Sequence, residues 1–160
     1  MFSGEQGLTL DAKNRIVVPS KFRVFLTDPD DRKGFFVVVN PTRGERCLRL
    51  YPRSGWQRVQ ENLMKTADQA ADPAEFLRLF ASHAEFAPID AQFRMVVPPK
   101  LVAFAHLGRD VVMVGNHTWL EIWDPGEWET VTEQTREKYR ALLPRALWAR
   151  PEGVQGEAAS

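Results

Sequence analysis

One stretch of ten residues is used twice in this chain. Leu10, Asp11, Ala12, Lys13, Asn14, Arg15, Ile16, Val17, Val18 and Pro19 return seventy-nine positions later as Ile89, Asp90, Ala91, Gln92, Phe93, Arg94, Met95, Val96, Val97 and Pro98. The echo reaches further. Lys21 meets Lys100 and Phe25 meets Phe104; after a shortened loop, Leu48, Arg49, Leu50, Tyr51 and Trp56 meet Leu120, Glu121, Ile122, Trp123 and Trp128. Two copies of one unit imply pseudo-twofold symmetry, and a symmetric pair of arginine-bearing elbows suits a symmetric or repetitive partner.

Size decides how the copies relate. A chain of 160 residues with 44% hydrophobic content can bury about 70% of its unfolded surface as one body, whereas half of it alone is marginal. Two intertwined repeats sharing a core are therefore expected, rather than two independent beads. There is no run of eighteen apolar residues, and the N-terminus lacks a basic head followed by an apolar stretch. Neither a membrane span nor a signal peptide is expected, which favours the cytoplasm. The single cysteine, Cys47, cannot form an intramolecular disulfide and agrees with a reducing compartment.

A formal net charge of +0 argues at first against a nucleic-acid partner, which normally draws on a basic balance. The total conceals a gradient. Residues 1–66 hold twelve Lys and Arg against seven Asp and Glu, and residues 67–160 hold nine against fourteen. Around the first elbow Lys13, Arg15, Lys21 and Arg23 face Asp11 alone; around the second, Arg94 and Lys100 face Asp90. The plainer reading is that these are ordinary solvated charges, with Arg15 a surface arginine in a turn.

Each elbow runs into an apolar, largely β-branched stretch, residues 16–18 or 95–97, and then a proline that a central strand would not accommodate. Pro19 and Ser20 suit the first turn of a helix, and Phe22, Val24, Phe25 and Leu26 follow at near-helical spacing, which predicts a short helix. Residues 35–39 and 47–51, parted by Asn40, Pro41 and Gly44, read as a hairpin. So do residues 111–114 and 119–123, parted by Gly115 and Asn116. Trp56, Val59 and Leu63 share one helical face. Asp72, Pro73 and Glu75, like Asp124, Pro125 and Glu127, supply a cap, a first-turn proline and a capping-box glutamate. Beyond Leu143 the prolines, glycines and small residues predict a loose tail, with Trp148 its one sizeable apolar residue. The recurring aromatics Phe22, Phe25, Trp56, Trp123 and Trp128 are assigned to packing rather than to stacking on bases.

The run from Asp11 to Arg15, followed by Ile16, Val17, Val18, Pro19, Ser20, Lys21, Phe22 and Arg23, resembles the signature of the MraZ family: aspartate, any residue, lysine, glycine, arginine, with a degenerate second copy. The resemblance covers residues 1–143. It implies an α+β fold of two SpoVT/AbrB-type swapped-hairpin half-barrels, interleaved in one chain with flanking helices, and a ring-forming oligomer. The corresponding division is a first repeat over 5–54, a helical connector over 55–82, a second repeat over 83–126, a C-terminal helix over 127–143 and a loose tail over 144–160.

Proteins similar to this are transcriptional regulators that bind short direct repeats in double-stranded promoter DNA. They usually repress the division and cell-wall gene cluster in which they lie, and they associate with the nucleoid. Carried over residue by residue, the resemblance puts Lys13 and Arg15 at the basic motif positions and Arg94 at the arginine place of the second copy. Asn14 and Gln92 complete the expected DNA-binding set, with Lys21, Arg23 and Lys100 as phosphate contacts. Asn14 stands where the pattern has glycine, and asparagine tolerates a left-handed backbone. Phe93 in the equivalent slot would be strained there, and Gln92 replaces a cation, so Arg94 is expected to contribute less than Arg15. Asp11 and Asp90 are assigned to capping the amides of their own loops.

A rigidly held arginine fork meets a guanine edge or a phosphate with little entropy lost. Repetition around a ring lets weak contacts add by effective concentration, which answers the objection from net charge. His83, His106 and His117 show no metal-ligand spacing with one another or with Cys47, and neither a glycine-rich phosphate cradle nor a nucleophile elbow is visible. No metal, cofactor or catalytic residue is expected. A second reading, from another class, is a ring-forming interaction scaffold or antidote-like partner that does not bind DNA.

Overall fold

The computed structural model describes residues 1–148. The first copy comprises β1 (Glu5–Thr9), β2 (Arg15–Val17), the single-turn helix α1 (Ser20–Arg23), a 3-10 turn (Asp31–Lys33), β3 (Gly34–Val39) and β4 (Cys47–Tyr51). The helices α2 (Arg53–Ala67) and α3 (Pro73–Ala81) follow. The second copy repeats the order as β5 (Ala84–Pro88), β6 (Arg94–Val96), α4 (Pro99–Phe104), β7 (Asp110–Asn116) and β8 (Trp119–Trp123). The helices α5 (Pro125–Lys138) and α6 (Leu143–Trp148) complete this α+β chain. It divides into two compact units, Met1–Trp128 and a second that starts at Glu129. Among the described residues no helix is long and apolar enough to cross a membrane.

In the first unit the copies are exchanged rather than side by side. A six-stranded antiparallel sheet runs in the order β1-β7-β8-β4-β3-β5, and β2 pairs with β6 as a separate ribbon. Thus β1 lies against the hairpin of the second copy, from Glu5 opposite Val114 to Thr9 opposite Asp110, while β5 lies against β3 of the first. Ile16 faces Met95 in the ribbon and Arg49 faces Glu121 in the sheet. Both pairs join equivalent positions of the two copies, so the pseudo-twofold axis passes through them.

Alternation along the strands explains two cores. Phe35, Val37, Leu48, Leu50, Leu120 and Ile122 point to one face of the sheet, where they pack with Ile16 and Met95 of the ribbon and with Phe22 of α1 and Leu101 of α4. Phe36, Val38 and Tyr51 point to the other face and meet Trp56 and Val59 of α2 and Phe80 of α3. Trp56 stacks on Phe36 at 4.8 Å and on Phe80 at 5.7 Å. The central strands are apolar on both faces because both faces are covered. Cys47 is buried in β4, and burial pushes its thiol up, away from reactivity.

The caps read from the sequence form. The Asp72 carboxylate accepts from the Glu75 amide at 3.2 Å, and that of Asp124 from the Gly126 and Glu127 amides at 3.0 and 3.1 Å. Other expectations are corrected. The helix after Pro19 is one turn long and gives way to tighter turns, Phe25 N–H donating to the Phe22 carbonyl and Leu26 N–H to that of Arg23, with Leu26 buried and Val24 and Phe25 exposed. The second hairpin does not turn at Gly115 and Asn116: β7 continues through both and reverses at His117 and Thr118. Gly115 instead lets the backbone of Ser3 pass, since a Cβ there would lie 2.5 Å from the Ser3 nitrogen. Of the recurring aromatics, Phe22, Trp56 and Trp123 are buried, Phe25 is exposed with its ring 6.0 Å from Phe2, and half-buried Trp128 packs on Trp123. Within the expected tail, Pro144 to Trp148 are helical as part of α6; residues 149–160 lie outside the described residues.

Candidate nucleic-acid interface

The two elbows are built by one device used twice. Asp11 Oδ1 accepts from the amides of Lys13 at 2.9 Å and Arg15 at 2.8 Å, and Asp90 Oδ1 from those of Gln92 and Arg94, both at 2.9 Å. The main chain closes each turn again, with Asn14 and Phe93 donating to the carbonyls of Asp11 and Asp90 at 2.9 Å in each case. The aspartates thus cap their own loops, as an Asx turn requires. The Arg15 amide, followed by its guanidinium, holds the Asp11 carboxyl below the usual aspartate range, and Arg94 does the same for Asp90.

The same carboxylates fix the arginines. Asp11 Oδ2 takes the Nε–H of Arg15 at 2.7 Å, and Asp90 Oδ2 that of Arg94 at 3.0 Å. Gripping a guanidinium at Nε leaves the donors on its terminal nitrogens to other acceptors. Those of Arg15 have no partner among the described residues, whereas Arg94 Nη2 donates to Gln92 Oε1 at 3.2 Å.

The ribbon sets the two elbows in register. Arg15 lies opposite Val96 and Val17 opposite Arg94, with Ile16 and Met95 buried between them. Period-two alternation puts Arg15, Val17, Arg94 and Val96 on the outward face. Two cross-copy bonds clamp the arrangement: Val18 N–H donates to Phe93 C=O and Val97 N–H to Asn14 C=O, each at 2.8 Å. Lys13 stands exposed at the first apex, with no partner for its amino group among the described residues.

Comparison with known proteins follows this doubled geometry. A family model described as "MraZ protein, putative antitoxin-like" matches residues 1–79 and again residues 80–147. The chain belongs to the MraZ family. It is 35% identical to the transcriptional regulator MraZ of Moorella thermoacetica over 92% of this chain and 97% of that protein. The proteins of the same name from Pediococcus pentosaceus and Clostridium tetani are 36% and 37% identical, over 87% and 81% of this chain and 92% and 85% of their own lengths. The relatives' shared name is that of regulators, not enzymes, and it supports a role in transcription regulation.

This MraZ-family chain departs from the glycine of the motif in both copies without losing the turn. Asn14 has φ 58° and Phe93 φ 61°, a left-handed backbone that costs a non-glycine residue about 1–3 kcal/mol, asparagine least. At Phe93 the ring is put to use. Its face carries the guanidinium of Arg23 from the first copy, with Cζ 3.5 Å from the ring centroid, an attraction of about 0.5–2 kcal/mol that offsets the backbone strain. Reading the copies in parallel missed this contact because it runs between them. The available signal was that Val102 stands where a second Arg23 would be.

The remaining phosphate candidates are engaged elsewhere. Lys21 Nζ donates to the Glu5 carbonyl at 2.5 Å and Lys100 Nζ to that of Ser82 at 3.2 Å, so the first is directed to β1 and the second to the C-terminal end of α3. The structure therefore groups Lys13, Asn14 and Arg15 at one end of the ribbon, and Gln92, Arg94 and Arg23 at the other.

Proposed function

We propose that this protein regulates transcription by binding double-stranded DNA through the outward face of the β2–β6 ribbon, with Lys13, Arg15 and Arg94 as its principal contacts. The observation that carries the reading is the pair of aspartate-clamped arginines displayed on one face in a fixed relation. Each side chain is ordered before any partner arrives, so less entropy is lost on contact. An antiparallel two-stranded ribbon has the width that a major groove of about 12 Å admits. The exchange of β1 and β5 between the copies supports the swapped-hairpin, SpoVT/AbrB-type description. Exposed Leu142, Leu143 and Leu147 offer apolar surface for self-association. Assembly into a ring repeats the face, which suits short direct repeats ahead of a division and cell-wall gene cluster and makes repression from the nucleoid the expected outcome.

A promoter-fragment gel shift tests this. Arg15→Ala should abolish binding while the mass of the oligomer is unchanged, and wild-type affinity should fall steeply as salt rises. Affinity that is flat across a salt titration, or a variant that binds as well as the wild type, refutes the reading.

A further inference from the structure

We infer that the second elbow is a composite site, in which Arg23 from the first copy supplies the phosphate-binding cation that the turn of the second copy lacks. The inference rests on the DNA-binding reading above. Charge bookkeeping at the two turns motivates it. At the first, Asp11 is paired with Arg15, which leaves Lys13 as a surplus cation. At the second, Asp90 is paired with Arg94, and Gln92 at the place of Lys13 is neutral. Counted within its own copy, the second turn has no surplus charge.

Arg23 restores the balance from outside. Its guanidinium lies over the ring of Phe93, in the turn itself and 45% exposed, with Cζ at 3.5 Å from the ring centroid. The contact has no mirror image. Val102 occupies the equivalent position, and beside the first turn it lines an open hollow of about 520 Å³ with Asp11, Asn14 and Leu107. Each elbow thus ends with one surplus cation, Lys13 at one and Arg23 at the other.

The chemistry of a guanidinium held over a ring suits a backbone phosphate. With the aromatic ring on one side, the terminal N–H groups of a guanidinium can still bind phosphate oxygens in its plane. Arg23 Nε is buried with no hydrogen-bond partner among the described residues, so the neighbourhood leaves this side chain under-satisfied. Phe93 accordingly serves as a mount for a cation rather than as a tolerated defect in the glycine slot.

The test uses full-length protein and duplex DNA over a salt series, with melting curves as a check on folding. Arg23→Gln should weaken specific and non-specific duplexes by the same factor. It should also make the log–log salt slope shallower by about 0.9 for each Arg23 engaged. Adding Gln92→Lys to that variant should restore the slope, which a purely structural role for Arg23 would not allow. Arg23→Lys, which keeps the charge, should hold the slope even where it lowers the melting temperature. An unchanged slope in Arg23→Gln, a loss that Gln92→Lys does not repair, or a lost slope in Arg23→Lys overturns the composite site while Arg15→Ala still reports on DNA binding. Wild-type binding indifferent to salt overturns the DNA reading itself, and this inference with it.

Discussion

One carboxylate per elbow shapes the turn and aims the arginine, which makes the elbow sensitive to acid in a defined sense. Asp11 and Asp90 titrate lower in the folded chain than in the unfolded one. Their stabilisation is therefore complete above the unfolded value of about 3.9 and is lost as the pH falls through the lowered folded value. Thermal melts should show no pH dependence from them between pH 5 and 7, where their contribution is fully present, and a decline below about pH 4. The double variant Asp11→Asn, Asp90→Asn should flatten that acid limb; an unaltered limb would contradict the assignment. The arginines should also be unequal. Because Gln92 occupies one terminal nitrogen of Arg94, Arg94→Ala is expected to weaken binding less than Arg15→Ala in parallel anisotropy titrations, and equal losses would refute this. The aspartate caps and the left-handed slots were legible in the sequence, since they follow from local chemistry within five residues. Arg23 on Phe93 was not, because that contact joins positions seventy residues apart.

At the scale of elements, the hairpins and helix caps could be read from β-branched runs and capping residues. Their ends could not. Gly115 looks like a turn residue until the backbone of Ser3 is seen against it, and the helix after Pro19 passes into tighter turns after a single turn. The packing of α2 and α3 on the sheet depends on few large groups, which localises its stability. Trp56, sandwiched between Phe36 and Phe80, is the centre of that layer. Trp56→Ala should destabilise the protein by about 3–5 kcal/mol in urea unfolding, without altering the elbows or their salt-dependent binding. A change below about 1 kcal/mol would mean that the helical layer closes over the gap.

For the whole molecule, duplication was evident from the repeated decapeptide, and a shared core followed from size. That β1 would cross to the other copy followed from neither and was implied only by the family resemblance, since both copies offer the same apolar patterns and periodicity does not say which partner a strand takes. The crossing has a measurable result. A fragment of residues 1–79 has β1 without β7 and β3 without β5, so mass measurement and circular dichroism should find it unfolded or dimeric, and a folded monomer would contradict the exchanged sheet. The axis of the molecule carries one more lesson. Where Arg49 meets Glu121 at 3.8 Å, the carboxylate is buried and further held by Asn116, Trp119 and Trp123. Two identical halves would set like against like at that point, arginine on arginine or acid on acid; halves that have diverged within one chain place opposites there. Once such a mismatch is resolved by specialisation, neither half can stand in for its sibling, and the tandem becomes the smallest inheritable form of the fold.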